Sequence, residues 1–258
     1  MAVLSRKTEV LIRSLTTRHG RKNSDLCLCD GPRASSEILK LRPDLVCGIY
    51  LREDCDFPFE YPLDPVRLPG AEFDRICNTV HSQGILLVLK RPEMIPVTEK
   101  ILSPFIFLLD RVADPGNFGT MVRTARAVGL PEVFLTAGCV DPYSDKCIRS
   151  ASGAQFSLKI RSCGPLQEAL GHFAGQGYKR FYRTAPAEGS DVFHEKDLFD
   201  KTVIILGNEG SGVETFAGAH DLNIPMPGDA ESLNVAQAAT VILFEYVRRH
   251  FSSAGPHS

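Results

Sequence analysis

The chain has 258 residues, enough for one large or two ordinary domains with a real core. Its 43% hydrophobic and 23% charged content is that of a soluble globular protein, and no apolar run is long enough to span a bilayer. A formal net charge of −2 excludes a surface coated in basic residues but leaves room for a local basic footprint.

Such a footprint opens the chain. Arg6, Lys7, Arg13, Arg18, Arg21 and Lys22 stand against a single acid, Glu9, within the first 24 residues. Apolar residues at helical spacing predict a helix over residues 3–17. Its basic residues read as a solvated face or as contacts to nucleic-acid phosphates. A third reading is an organelle transit peptide, against which Glu9 and the smooth run into the next segment both count. A small α/β alternation follows, with strands at 25–29, 46–51 and 85–89 and helices at 33–40 and 71–79. The proline-laden stretch 57–69 reads as loop or irregular edge, and residues 95–104, with Pro96 and Pro104, as a linker. This divides the chain into a first domain over 1–94 and a second over 105–258.

The second domain alternates strands (105–109, 133–136, 156–160, 179–184, 202–206, 222–224) with helices, which predicts a mainly parallel, doubly wound sheet. In such sheets ligands bind beyond the carboxyl ends of the strands. Three motifs fall there. NFGTMVRTA begins at Asn117, which reads as the N-cap of a helix running to Val128 and ended by Gly129 and Pro131. Arg123 then lies on a flank of that helix, where a guanidinium can grip a phosphate with two parallel hydrogen bonds. LGNEGSGV begins at Leu206 and sets Glu209 among three glycines. It is neither G-x-G-x-x-G nor a P-loop, so neither a dinucleotide dehydrogenase nor a P-loop NTPase is supported. IPMPGDAESLNVAQAA begins at Ile224 and places Ser232 and Asn234 at the head of a long amphipathic helix, where they cap it or touch a ligand.

The eight cysteines form no C-x-x-C pair, and nothing resembles a signal peptide, so all are expected as reduced thiols. The seven histidines have no zinc-binding spacing, and no metal is expected.

In order and wording the three motifs resemble those of the SpoU (TrmH-type) family of SPOUT RNA ribose 2′-O-methyltransferases. The segment DPYSDKCIRSASGA, from Asp141, resembles the family's stretch between the first two motifs. The first domain resembles, more loosely, a substrate-binding domain of ribosomal-protein L30e-like fold, with Asp30-Gly31 where the family usually has Glu-Gly. The resemblance implies a deep trefoil knot in the second domain, with S-adenosylmethionine bent between its loops. It implies cofactor contacts from Gly207, Ile224 and Leu233, with Leu206, Met226 and Ser232. Arg123 is the implied essential residue, with Asn117, Glu209, Ser232 and Asn234 orienting it, the ribose and the cofactor. It further implies an RNA substrate, rRNA before tRNA, and a homodimer packed through the knot region. The expected location is the cytoplasm, with the mitochondrial matrix as the alternative. A non-catalytic RNA-binding or ribosome-assembly protein and an antibiotic-resistance methylase share the same scaffold.

Overall fold

In the computed structural model, which describes residues 4–77, 82–185, 189–208 and 210–251, helix α1 (Arg6–Leu15) starts where the Ser5 hydroxyl accepts the Thr8 amide at 3.1 Å. Ile12 and Leu15 turn inward, which leaves Arg6, Lys7 and Arg13 in solvent. Helix α2 (Arg18–Lys22) is capped by Thr17. Arg21 departs from the basic footprint: it is buried, with Nε 2.7 Å from Asp141 and one terminal nitrogen donating to the carbonyls of Leu15 and Thr16. Its charge is spent inside the protein and does not face a ligand.

Strand β1 (Leu26–Asp30), helix α3 (Pro32–Leu41), strands β2 (Val46–Arg52) and β3 (Val66–Leu68), helix α4 (Gly70–Ile76) and strand β4 (Ile85–Lys90) complete the first half. Gly31, at φ +104°, makes the turn from β1 into α3. The sheet order is β1-β4-β2-β3, with β4 antiparallel to both neighbours and β3 parallel to β2. Strand β3 comes from the proline-rich stretch expected as loop or irregular edge. It is a three-residue edge, which tolerates prolines nearby. The end of the expected helix 71–79 lies outside the described residues.

The chain divides into two units, Met1–Glu93 with Asp141–Ser157, and Met94–Val140 with Leu158–Ser258. The second begins with β5 (Ile95–Pro96), β6 (Ile106–Leu109), α5 (Pro115–Ala127) and β7 (Glu132–Leu135). The segment Asp141–Ser157, expected within the second domain, packs into the first unit and carries helix α6 (Asp145–Ser150). There Tyr143, Cys147, Ile148 and Phe156 are buried, and Asp141 holds Arg21. The strand expected over 156–160 starts later, as β8 (Lys159–Ser162), because residues 154–156 form a 3-10 turn after Gly153.

Helix α7 (Leu166–Gly175), strands β9 (Arg180–Thr184), β10 (Ser190–Asp191), β11 (Thr202–Leu206) and β12 (Ala219–Asn223), and helix α8 (Val235–Phe251) follow. The strands form one sheet in the order β10-β12-β9-β11-β6-β7-β8-β5, parallel at every pairing. Strands β6, β7 and β11 are buried residue by residue, as a parallel sheet covered on both faces requires. On one face Ile106, Leu108, Val203 and Ile205 pack with Phe134, Phe173 and Tyr178.

The stretch expected as a linker belongs to this unit, because β5 pairs with β8. A buried ion pair holds it. Arg161 donates to Glu132 and to the carbonyls of Pro96, Glu99 and Lys100, while the second Glu132 oxygen accepts the amides of Leu102 and Ser103. Both side chains are essentially inaccessible, so every charge-bearing atom needs such a partner.

Candidate active site

Strands β12, β9 and β11 are neighbours, and their carboxyl ends open on one cavity of about 490 Å³. That size lies within the range of about 300–1,000 Å³ usual for small-molecule sites. The second and third motifs meet there: Gly207, Ile224, Met226, Ser232, Leu233 and Asn234 all line it. Thr184 and Ala185, at the end of β9, also line it and went unnoticed in the sequence. Their only signal was their place at the end of a parallel strand.

The glycine loop is shaped by its own backbone. Asn208 and Gly212 form an antiparallel bridge, with the Gly212 amide donating to the Asn208 carbonyl at 2.8 Å. This folds the chain back so tightly that a Cβ on Gly207 would stand 2.4 Å from the Gly212 carbonyl carbon. Only glycine fits. The Asn208 side chain accepts the Gly210 amide at 2.9 Å and donates to the Arg111 carbonyl at 3.1 Å, which ties the loop to the end of β6.

Helix α5 does not start as the sequence reading had it. Asp114 is the N-cap, accepting the Asn117 amide at 2.7 Å, and Pro115 takes the first helical position, where its fixed φ and missing N–H carry no penalty. Asn117 is thereby released from capping, and its side-chain oxygen accepts from Asn234 Nδ2 at 3.0 Å. The Asn234 oxygen accepts the Ala236 amide at 2.9 Å and so caps α8. The first motif thus reaches the third through one amide–amide bond, although Asn117 itself does not line the cavity.

Other expected site residues lie elsewhere. Leu206 is fully buried at the end of β11, behind the cavity wall, with its carbonyl accepting the Asp110 amide. Arg123 is exposed on α5 and outside the cavity lining. Glu209 lies outside the described residues.

Among the described lining residues no side chain is ionisable. Asparagines, serines, threonine and glycine backbone supply the polar groups, while Leu222, Ile224, Met226 and Leu233 supply apolar surface. Such a lining suits a ligand with a flat apolar part and several hydrogen-bonding groups. The described lining residues offer neither a base nor a counter-ion.

The sequence profile of the SpoU rRNA methylase family matches residues 104–244. The chain belongs to that family. Among its SpoU relatives, a Bacillus subtilis protein, 23S rRNA (guanosine(2553)-2′-O)-methyltransferase RlmP, is 33% identical over 90% of this chain and 92% of its own length. The Streptomyces viridochromogenes 23S rRNA (uridine(2479)-2′-O)-methyltransferase is also 33% identical, over 93% of this chain and 80% of its own. A TrmH-family structure from Porphyromonas gingivalis superposes with a TM-score of 0.79 at 28% identity, covering 96% of this chain and 100% of that one. The SpoU methyltransferase AviRb from Streptomyces viridochromogenes, in complex with AdoMet, shares the fold with a TM-score of 0.78 at 23% identity, over 96% of this chain and 99% of that one.

Proposed function

We propose that this SpoU protein transfers a methyl group from S-adenosylmethionine to a ribose 2′-hydroxyl of ribosomal RNA. The observation that carries the reading is the convergence of Gly207, Ile224, Met226 and Ser232–Asn234 on one cavity whose described lining is free of ionisable side chains, in a chain whose relatives bear rRNA 2′-O-methyltransferase names. The residues fit the cofactor: apolar side chains can pack against an adenine ring, and neutral polar groups can bind a zwitterionic methionyl part. When bound, the cofactor supplies an activated methyl on a sulfonium leaving group. The protein then has to hold the hydroxyl in line and deal with one proton. The Asn208–Gly212 bridge presents the loop backbone, and Asn234 fixes the third-motif loop by capping α8 and gripping Asn117.

Arg123 is assigned to the RNA. It is exposed, and its side chain makes no hydrogen bond or ion pair among the described residues, so its guanidinium is available to a phosphate and to charge developing on the 2′-oxygen. A guanidinium offers five N–H donors and no acceptor, which makes this role better suited to it than general base. Ser232 and Glu209 complete the assigned catalytic set. Phosphate contacts of the first unit fall to Arg6, Lys7, Arg13, Arg18 and Lys22, all exposed.

The reading includes the trefoil knot and a homodimer. Phe244 and Phe251, seven residues apart on α8, are 52% and 47% exposed and share one helix face, which supports α8 as an interface element. It also includes a reducing compartment, the cytoplasm before the mitochondrial matrix, in keeping with eight free thiols.

The test is transfer of labelled methyl from S-adenosylmethionine to unmodified total RNA, with tRNA and intact ribosomal particles as separate arms. Label in a large rRNA that disappears in Arg123→Ala, while the variant still binds S-adenosylhomocysteine, is the expected result. Binding of cofactor without transfer to any of these substrates would favour the non-catalytic RNA-binding reading.

A further inference from the structure

The glycine loop that walls the cavity contains Gly207, Gly210 and Gly212 within six residues, so little in its own covalent structure keeps it in one shape. Ordering such a segment on ligand binding would draw on the binding free energy, and a loop already fixed avoids that loss. Two arginines reach its far leg. Arg111 pairs with Glu214 at 3.0 Å, but Glu214 is 77% exposed, and a solvated, salt-screened pair of this kind holds little. Arg183 is placed differently.

Arg183 lies on β9, opposite Ile205 of β11 and Asp221 of β12. Its Nε and one terminal nitrogen meet the two Asp221 oxygens at 2.5 and 3.0 Å, a fork that fixes the plane of the guanidinium. The remaining terminal nitrogen donates to the carbonyl of Val213 at 2.8 Å. Val213 is buried and directly follows Gly212, whose backbone meets Gly207 across the tight return. The residues after the two partners, Thr184 and Leu222, line the cavity themselves. One side chain therefore bonds the end of the glycine loop to the two strand ends that form the facing wall.

We infer that Arg183, oriented by Asp221, is a positioning residue for the cofactor: it holds the glycine loop at Val213 in the shape that binds S-adenosylmethionine. The inference rests on the assignment of this cavity to that cofactor. Arg183 touches neither the ligand nor the RNA in this role. It acts through the Val213 carbonyl alone, so its loss shows as weaker cofactor binding and leaves transfer at saturation intact.

The probe is S-adenosylhomocysteine titrated calorimetrically into the full-length protein, followed by steady-state methyl transfer with varied S-adenosylmethionine. Arg183→Met is expected to weaken the binding at least tenfold. It should raise KM for the cofactor by a similar factor, with kcat at saturation within threefold of wild type. Arg183→Lys, which keeps a donor for Val213 but loses the fork, should fall between the two. Glu214→Gln, which breaks only the exposed pair, should bind within twofold of wild type. If Arg183→Met does not fold, Asp221→Asn carries the test, because it loosens the guanidinium at nearly constant volume. Wild-type affinity in both Arg183→Met and Asp221→Asn would overturn the inference and leave the cofactor assignment standing. Failure of the wild type to bind the probe would overturn the assignment and the inference with it.

Discussion

Asn234 and Asn117, 117 positions apart in sequence, are joined by a 3.0 Å bond in which Asn234 Nδ2 donates to Asn117 Oδ1. The Asn234 oxygen is committed to the Ala236 amide, so only its nitrogen is left to meet the Asn117 oxygen. One side chain thereby starts the last helix and clasps the first motif.

These two duties can be separated. Asn234→Asp keeps an excellent N-cap, since aspartate and asparagine cap about equally well, but sets oxygen against oxygen at Asn117. Stability should change by no more than about 1 kcal/mol, while methyl transfer falls at least tenfold. Asn117→Asp retains the accepting oxygen and should be the milder of the two. Equal activity losses in both, tracked by unfolding midpoints and initial rates, would show that the bond does not matter.

The glycine loop gives a steric contrast. Alanine at Gly207 would force its Cβ to 2.4 Å from the Gly212 backbone, whereas at Gly210 the nearest atom is the Asn208 side-chain oxygen at 3.4 Å. Gly207→Ala should abolish measurable S-adenosylhomocysteine binding, and Gly210→Ala should weaken it only a few-fold. Titration calorimetry on the two proteins decides between them.

Much of this site was visible in the sequence, because glycine, proline and capping residues at strand ends are local signals. Gly207, Ile224 and Ser232–Asn234 could be placed from turn chemistry and resemblance alone. Asn117 was misread as a cap because Asp114 and Pro115, a better cap and first residue, sit just upstream. Arg183 and Asp221 carry no local signal, since their pairing depends on which strands become neighbours. The two-residue edges β5 and β10 were missed for the same reason: their pairing partners, not their own residues, make them strands.

Arg161 tests the energetics of the second unit. Arg161→Met would strand Glu132 as a buried, unpaired carboxylate and should cost about 3–5 kcal/mol. Adding Glu132→Leu should return much of that loss, because a well-packed apolar pair avoids the desolvation of both charges. Urea unfolding of the single and double variants measures the difference. An undiminished loss in the double variant would mean that the carbonyls of the 96–103 segment, not the charges, dominate.

Glu245 predicts an acid limb. It is buried on α8, and hydrogen bonds from Arg248 and then Arg249, against the opposing effect of burial, hold its pKa down at about 2. A folded-state value below the ordinary 4.5 means that the ionised group stabilises the fold at neutral pH. That contribution declines as pH falls from about 4.5 towards 2. Glu245→Gln should therefore be less stable than wild type at pH 7, with the gap closing as the solution is acidified through that window. Denaturant midpoints at several pH values check it, and a constant gap would contradict the assignment.

The segment Asp141–Ser157 returns to the first unit after the chain has already begun the second. Nascent protein leaving the ribosome therefore cannot finish the earlier-made unit until residue 157 has emerged. Until then Arg21 waits for Asp141, and the places of Tyr143, Ile148 and Phe156 stand open. The same order governs evolution by shuffling: a gene fragment cut after residue 93 would carry an incomplete core, and an exchange of this unit between relatives has to move two pieces at once.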